Sequence, residues 1–178
     1  MSFVNTVSRA PAIGYEGMLS DTRASRVASK TPATGTIKAG RAVCFHAGDS
    51  DEMVRLPATA AEVQNNNIQG VTVLDVTRMS DAGTVGAGTA ATESMAVLTD
   101  GELLVRAEEA VTEASLVYIR ITESTGGAAD TGQFRASADS GKAVIAYGFK
   151  FLGSCGAGEL VRLSVKLPQG NVALPTGA

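Results

Sequence analysis

The sequence predicts a mostly β protein: a small antiparallel β-sandwich or barrel with a short helix and extended N- and C-terminal arms. Three observations predict it. Ala, Val, Gly and Thr dominate, there is no Trp, aromatics are 4%, and 20 Gly and 5 Pro are spread along 178 residues. That composition suits short strands and tight turns rather than a helical bundle. Hydrophobic residues make up 44% of the chain, enough for one packed core. Finally, several short runs alternate apolar and polar residues with the period of a strand.

Residues 1–34 read as an arm. Pro11, Gly14, Gly17 and Pro32 punctuate it, and the polar run "SDTRASRVASKTPATG" buries too little apolar surface alone to offset its ordering entropy. Its order is expected to come from the body or from a partner. The body spans 35–167. "GTIKAGRAVCFHAGDSDEMVRL" reads as strand, Ala-Gly turn, strand, acidic loop and returning strand. "PATAAEVQNNN" opens on Pro57, is rich in Ala, and fits one or two helical turns ended by Asn65 to Asn67. "IQGVTVLDVTRMS" reads as a strand with Val71 and Val73 on one face. "MAVLTDGELLVR" reads as a hairpin turning at Asp100-Gly101. "LVYIRI" places Val117, Ile119 and Ile121 on one face and Tyr118 and Arg120 on the other. Residues 122–142 form a long polar excursion. The closing strand turns Val161, Leu163, Val165 and Leu167 inward and Arg162, Ser164 and Lys166 outward. Residues 168–178, "PQGNVALPTGA", are a breaker-rich tail.

The net charge of −3 hides an asymmetry. Residues 1–42 carry six basic side chains against Glu16 and Asp21, a net +4, and the remainder a net −7. A basic front on an acidic body points to an acidic partner. The basic residues are scattered and lack interleaved aromatics, so direct binding to nucleic acid is not expected. Nor is a membrane partner: no run approaches the length of a span, and the start has no signal-peptide pattern. Cys44 and Cys155 are expected as separate, reduced, buried thiols.

Chemistry is poorly supplied. Cys44 and the single histidine, His46, share a strand face, yet a zinc site lacks its remaining ligands. As a nucleophilic pair they lack an orienting carboxylate. Asp49, Asp51 and Glu52 lack the spacing of a calcium loop. "GTVGAG" lacks the Gly-Lys-Ser/Thr ending of a phosphate loop. Glu108, Glu109 and Glu113 flank a turn and are expected to face water. No catalytic residue, metal or cofactor is expected, and a structural or binding role is favoured over an enzyme.

Four motifs then occur in an order that resembles the capsid cement (decoration) proteins of tailed bacteriophages. They are "APAIGYEGMLSD", "IKAGRAVCF", "IQGVTVLDVT" and "GELLVRAEEAVTEASLVYIRITESTG". The resemblance is spread over most of residues 9–165. The cysteines and the 122–142 loop are outside it. It implies a non-enzymatic protein, made in the bacterial host cytoplasm, that docks on the outer capsid surface of the virion. Its partners would be the major capsid protein and itself, as a dimer or trimer. In such a role the arm would order on the shell. Phe3, Val4, Pro11, Ile13, Tyr15, Met18 and Leu19 would supply apolar contacts, and Arg9, Arg23 and Arg26 would meet acidic shell residues. The alternative is a host- or carbohydrate-binding β module on the virion surface that uses the 122–142 loop, with Phe134 as its aromatic.

Overall fold

The computed structural model describes residues 14–20, 25–46, 52–64, 67–75, 88–91, 93–123 and 130–167. The tail 168–178 and the first thirteen residues lie outside the described residues. Twelve strands follow in chain order. They are β1 (Arg26–Pro32), β2 (Thr36–Ile37), β3 (Ala42–Phe45), β4 (Met53–Arg55), β5 (Ile68–Thr72), β6 (Thr89–Ala90), β7 (Met95–Arg106), β8 (Tyr118–Arg120), β9 (Phe134–Arg135), β10 (Ala143–Ile145), β11 (Phe149–Phe151) and β12 (Leu160–Lys166). The helix α1 (Ala60–Gln64) sits between β4 and β5.

The main sheet runs β1-β4-β3-β5-β7-β12-β11, and β1 also pairs with β7. That extra pairing closes β1, β4, β3, β5 and β7 into a five-stranded barrel, from which β12 and β11 extend. The fold is the mostly β one expected, in its barrel form. All the pairs within this sheet are antiparallel except β1–β4, which is parallel. A three-stranded sheet, β10-β8-β9, and the short β2–β6 pair complete the structure.

Register sorts the side chains. Residues directly opposite in an antiparallel pair share a face. Val43 faces Gly70, Thr72 faces Val97, and Phe45 faces Val54, which puts these on the barrel's inner face. Val43, Val54, Met95 and Val97 pack there with Ile37. The other face carries Ala42, Cys44, Val71 and Leu98, which join a larger core with Ile119, Phe134, Phe151 and the inward side of β12. The predicted alternation of β12 holds: Val161, Leu163 and Val165 are buried, Leu167 packs against them, and Arg162 and Lys166 are exposed. Helix α1 forms where Pro57 and the Ala-rich run place it. Glu62 turns back to accept hydrogen bonds from the amides of Ala58 (2.6 Å) and Thr59 (2.9 Å), satisfying donors that a helix start leaves open. Its Val63 is buried.

Two expectations are corrected. The Asp100-Gly101 hairpin is absent: Met95–Arg106 is one twelve-residue strand. Gly101 takes φ +137°, a conformation that favours glycine, yet it stays within the strand. The strand stays continuous because Arg26 pairs with Asp100 on one side and Val165 with Gly101 on the other, so the backbone bonds a hairpin would make within itself are made with neighbours. The 122–142 stretch is not simply a polar excursion either, for Phe134 is fully buried in the core. Arg26–Pro32, inside the stretch read as an arm, forms a strand of the barrel. It is poor in apolar residues because its place rests on backbone bonding along two edges, to β7 and to β4. Pro32, which has no N–H, sits between Thr31 and Ala33, whose amides donate to Glu52 and Val54 (2.8 Å each).

Gly70 faces into the barrel at φ +146°, and a Cβ there would collide with the Leu98 carbonyl oxygen and the Val97 side chain. Gly70→Ala is therefore expected to destabilise the protein by roughly 2 kcal/mol or more, through backbone strain and overpacking. Urea unfolding of the two proteins measures it.

Candidate functional site

The segment Gly14–Ser20 lies across the edge of β7. The Gly17 amide donates to the Leu104 carbonyl (2.7 Å), the Leu104 amide to Met18 (2.8 Å), and the Ser20 amide to Glu102 (3.1 Å). Leu19 pairs with Leu103, and the Leu74 amide donates to Gly17 (2.8 Å). Gly17 sits at φ +81°, and a Cβ there would come within 2.7 Å of the Ala39 methyl and 2.9 Å of the Gly40 and Leu74 nitrogens. Only glycine lets the chain lie this close.

Backbone docking fixes the segment, but its apolar side chains are not consumed. Leu19 packs on the core, whereas Tyr15 is 56% and Met18 42% exposed. Alternation explains the split, since Leu19 shares the inward face with Leu103 and Met18 points the other way. Beside Met18 lies an open groove of about 1080 Å³. Leu104, Leu152 and Leu160 line it, with Arg106 and Arg162 among the same residues. The pairings Arg162↔Leu104 and Leu160↔Arg106 place these four on the sheet's outward face. Leucine at outward positions of β7 and β12 is the one sequence signal for this groove.

The segment is also tied electrostatically. Glu16 makes an ion pair with Arg41, whose side chain is 5% exposed, and accepts a hydrogen bond from the Arg106 amide (3.4 Å). Arg41 also reaches Asp130 (3.2 Å), which Lys38 approaches to 2.7 Å. The hydrogen bond from Lys38, helped by that from Arg41, holds the Asp130 carboxyl below the usual carboxylate range.

A second polar cluster lies in the smaller sheet. Arg120 donates to both oxygens of Glu108 (2.6 and 2.7 Å) and to Asp139 (2.7 Å). Arg135 reaches Glu108 (3.1 Å), Glu109 (3.2 Å) and Asp139 (2.9 Å). Asp139 stands at φ 45° and Ser140 at φ 54°, left-handed positions that bring the Asp139 carboxylate over both guanidinium groups. This corrects one expectation: the Glu108 side chain does not face water but is 6% exposed, beside Arg120 at 2%. The hydrogen bond that Glu108 accepts raises the Arg120 pKa against its burial, so the guanidinium stays charged. The hydrogen bond from Arg120 lowers Asp139. Burial works to raise Glu109, but the Ser137 hydroxyl, the Ala136 amide and Arg135 together outweigh it and hold that carboxyl low. Each charge is paired, so the cluster is a structural tie rather than a site with free donors.

Both cysteines are free, Cys44 buried and Cys155 only half-buried, which corrects the expectation of two buried thiols. Burial pushes the Cys44 thiol up to about 11, the opposite of what a nucleophile requires. Among the described residues no group of three His, Cys, Asp or Glu side chains could hold a metal ion, and no helix is long and apolar enough to cross a membrane. Of the arm residues expected at an interface, Tyr15, Met18 and Leu19 come together at the groove. Arg26 stands apart on β1, opposite Asp100. Phe3, Val4, Arg9, Pro11, Ile13 and Arg23 lie outside the described residues. Sequence reasoning missed Glu16, Arg41 and the groove leucines. Phe134, the aromatic of the 122–142 stretch, is buried, which leaves it no face for stacking on a sugar.

The profile of the family described as structural cement protein (E217 gp24/Pam3 gp6) matches residues 3–166. A chain in the solved structure titled "The capsid of Myoviridae Phage XM1" shares this fold. Its TM-score is 0.63 at 19% identity, over 93% of this chain and 98% of that one. No curated protein matches the sequence.

Two outcomes are expected. Glu109, Asp130 and Asp139 are all held below their unfolded values. Their contribution to stability is therefore complete above the ordinary carboxylate range, about pH 4, and is lost as pH falls through the folded values. Thermal melts should be nearly flat from about pH 7 to 5 and drop below that. Arg135→Gln should be less stable at neutral pH and show a shallower acid decline. In a thiol-reagent assay Cys155 should react in the native protein, and Cys44 only on unfolding.

Proposed function

We propose that this chain, which belongs to the structural cement protein family, binds the major capsid protein on the outer surface of a phage head and holds neighbouring subunits together. The observation that carries this reading is the pairing of a fixed backbone with uncovered apolar side chains. Tyr15 and Met18 stand exposed on a segment hydrogen-bonded to β7, beside a leucine-lined groove. A surface already ordered in the free protein does not incur that segment's ordering entropy on binding.

The arm that makes the contact comprises residues up to 34, with Tyr15 and Met18 as its preformed part. Phe3, Val4, Arg9, Pro11, Ile13, Leu19, Arg23 and Arg26 complete the proposed set. The body runs from 35 to 167, and 168–178 is a tail. The mechanism is mechanical. Each copy buries apolar surface across a seam between capsid subunits, so opening the seam must also break that contact. Covering a side chain the size of Tyr or Met contributes about 1.5–3 kcal/mol. Many copies on one lattice, associating as dimers or trimers, raise the effective concentration of each contact. The chain, made in the host cytoplasm, would add to the shell without catalysing a reaction.

The double variant Tyr15→Ser/Met18→Ser should keep the parent's melting behaviour and lose at least about tenfold in affinity for shells lacking this protein, read by co-sedimentation. Full occupancy by the double variant would remove this face from the contact.

A further inference from the structure

We infer that Arg41 is a junction that couples the order of the N-terminal segment to that of the turn at 130–133, with Glu16 and Asp130 as positioning residues for the face that carries Tyr15 and Met18. Arg41 is 4% exposed, and the structure fixes it from beneath. Its amide donates to the Thr72 hydroxyl (2.9 Å), and its carbonyl accepts from the Thr72 amide (2.9 Å). Thr72 is itself buried on β5. The guanidinium thus has a set position, and its two outer nitrogens serve different segments. One meets Glu16, which enters from Gly14–Ser20. The other meets Asp130, which enters from the turn at 130–133. The Nε has no partner among the described residues.

The charge of a buried guanidinium must be compensated. Here the compensation comes from two carboxylates borne on segments far apart in sequence. If either leaves, the remaining one carries the charge with less support, and both segments lose part of their tie. The N-terminal segment depends on this tie because its apolar anchoring is slight: Leu19 is the side chain of the segment that packs on the core. Gly40 makes room for the contact, since a Cβ there would collide with the Glu16 Cγ. The turn rests on Ala42, the residue after Arg41, whose amide donates to the Gly132 carbonyl (2.9 Å). Asp130 also holds its own turn, its amide donating to the Gln133 side chain (2.7 Å).

The purpose of the coupling rests on the docking role proposed above, but its existence is tested without a capsid. Hydrogen exchange is followed on the isolated full-length protein, on Glu16→Gln, on Asp130→Asn and on the double variant. Glu16→Gln is expected to speed exchange of the Gly17, Ser20 and Leu104 amides about tenfold and also to speed exchange of Gly132 and Gln133. Asp130→Asn should act reciprocally on Gly17 and Ser20, since coupling free energies are symmetric. The double variant should show less than the sum of the two. Glu16→Asp, which keeps the charge, should lie nearer the parent than Glu16→Gln. A Glu16→Gln effect confined to residues 14–20, or no effect at either place, overturns the inference. If exchange is coupled but both single variants still decorate shells fully, the junction stands and the docking role falls.

Discussion

The structure depends on β7 being one strand. Its first half closes the barrel by pairing with β1 and β5, and its second half carries β12 on one edge and Met18 to Ser20 on the other. A twelve-residue strand in a protein of this size must bend to serve both the barrel and its extension, and glycines sit where the backbones crowd. Gly101 takes φ +137° near the midpoint, where the Arg26 and Lys166 pairings both end on Asp100. Gly70 leaves space where β5 crosses the Leu98 carbonyl. Were β7 to turn back at Gly101, barrel closure, the β12 extension and the bed for the N-terminal segment would be lost together.

A chain with few aromatics has limited means of filling its outer layers. Inside the barrel, Val43, Val54 and Val97 suffice. The smaller sheet is held partly by charge, through Arg120 and Arg135 on Glu108, Glu109 and Asp139. Such networks add little net stability over an apolar filling, but they fix geometry, because a misplaced partner leaves a buried charge uncompensated. The Glu16–Arg41–Asp130 cluster follows the same logic at the edge of β7. One network sets the shape of the lobe, and the other sets where the N-terminal segment lies.

The parts legible in the sequence are those whose position follows from local pattern. The β3–β4 pair, the helix after Pro57 and the inward side of β12 were readable from apolar spacing and turn residues. The parts that were not legible depend on distant partners. β1 is polar because its bonding is backbone on both edges, and no spacing of side chains records that. Asp100-Gly101 has the chemistry of a tight turn, but flanking strands outcompeted it. Arg120 and Glu108 look like surface charges until the fold brings them together in its interior. At the candidate face, the sequence marks Tyr15, Met18 and Leu19 as apolar, yet which one turns inward follows only from pairing with Leu103. The groove was half visible in Leu104 and Leu160, apolar residues on a face where alternation demands polar ones.

The free molecule therefore presents a short, fixed, partly apolar segment on the outward face of an extended sheet. That agrees with membership of a family of structural cement proteins. Under the proposed docking the N-terminal segment is already ordered beforehand: its backbone is bound to its own body while two of its side chains remain uncovered. The most direct measurement is an electron-microscope reconstruction of a decorated head with this chain traced in it. The account predicts that the face bearing Tyr15, Met18 and the leucine groove lies against the capsid subunits, with those two side chains covered. A reconstruction in which that face points to solvent, with Tyr15 and Met18 uncovered, would contradict it.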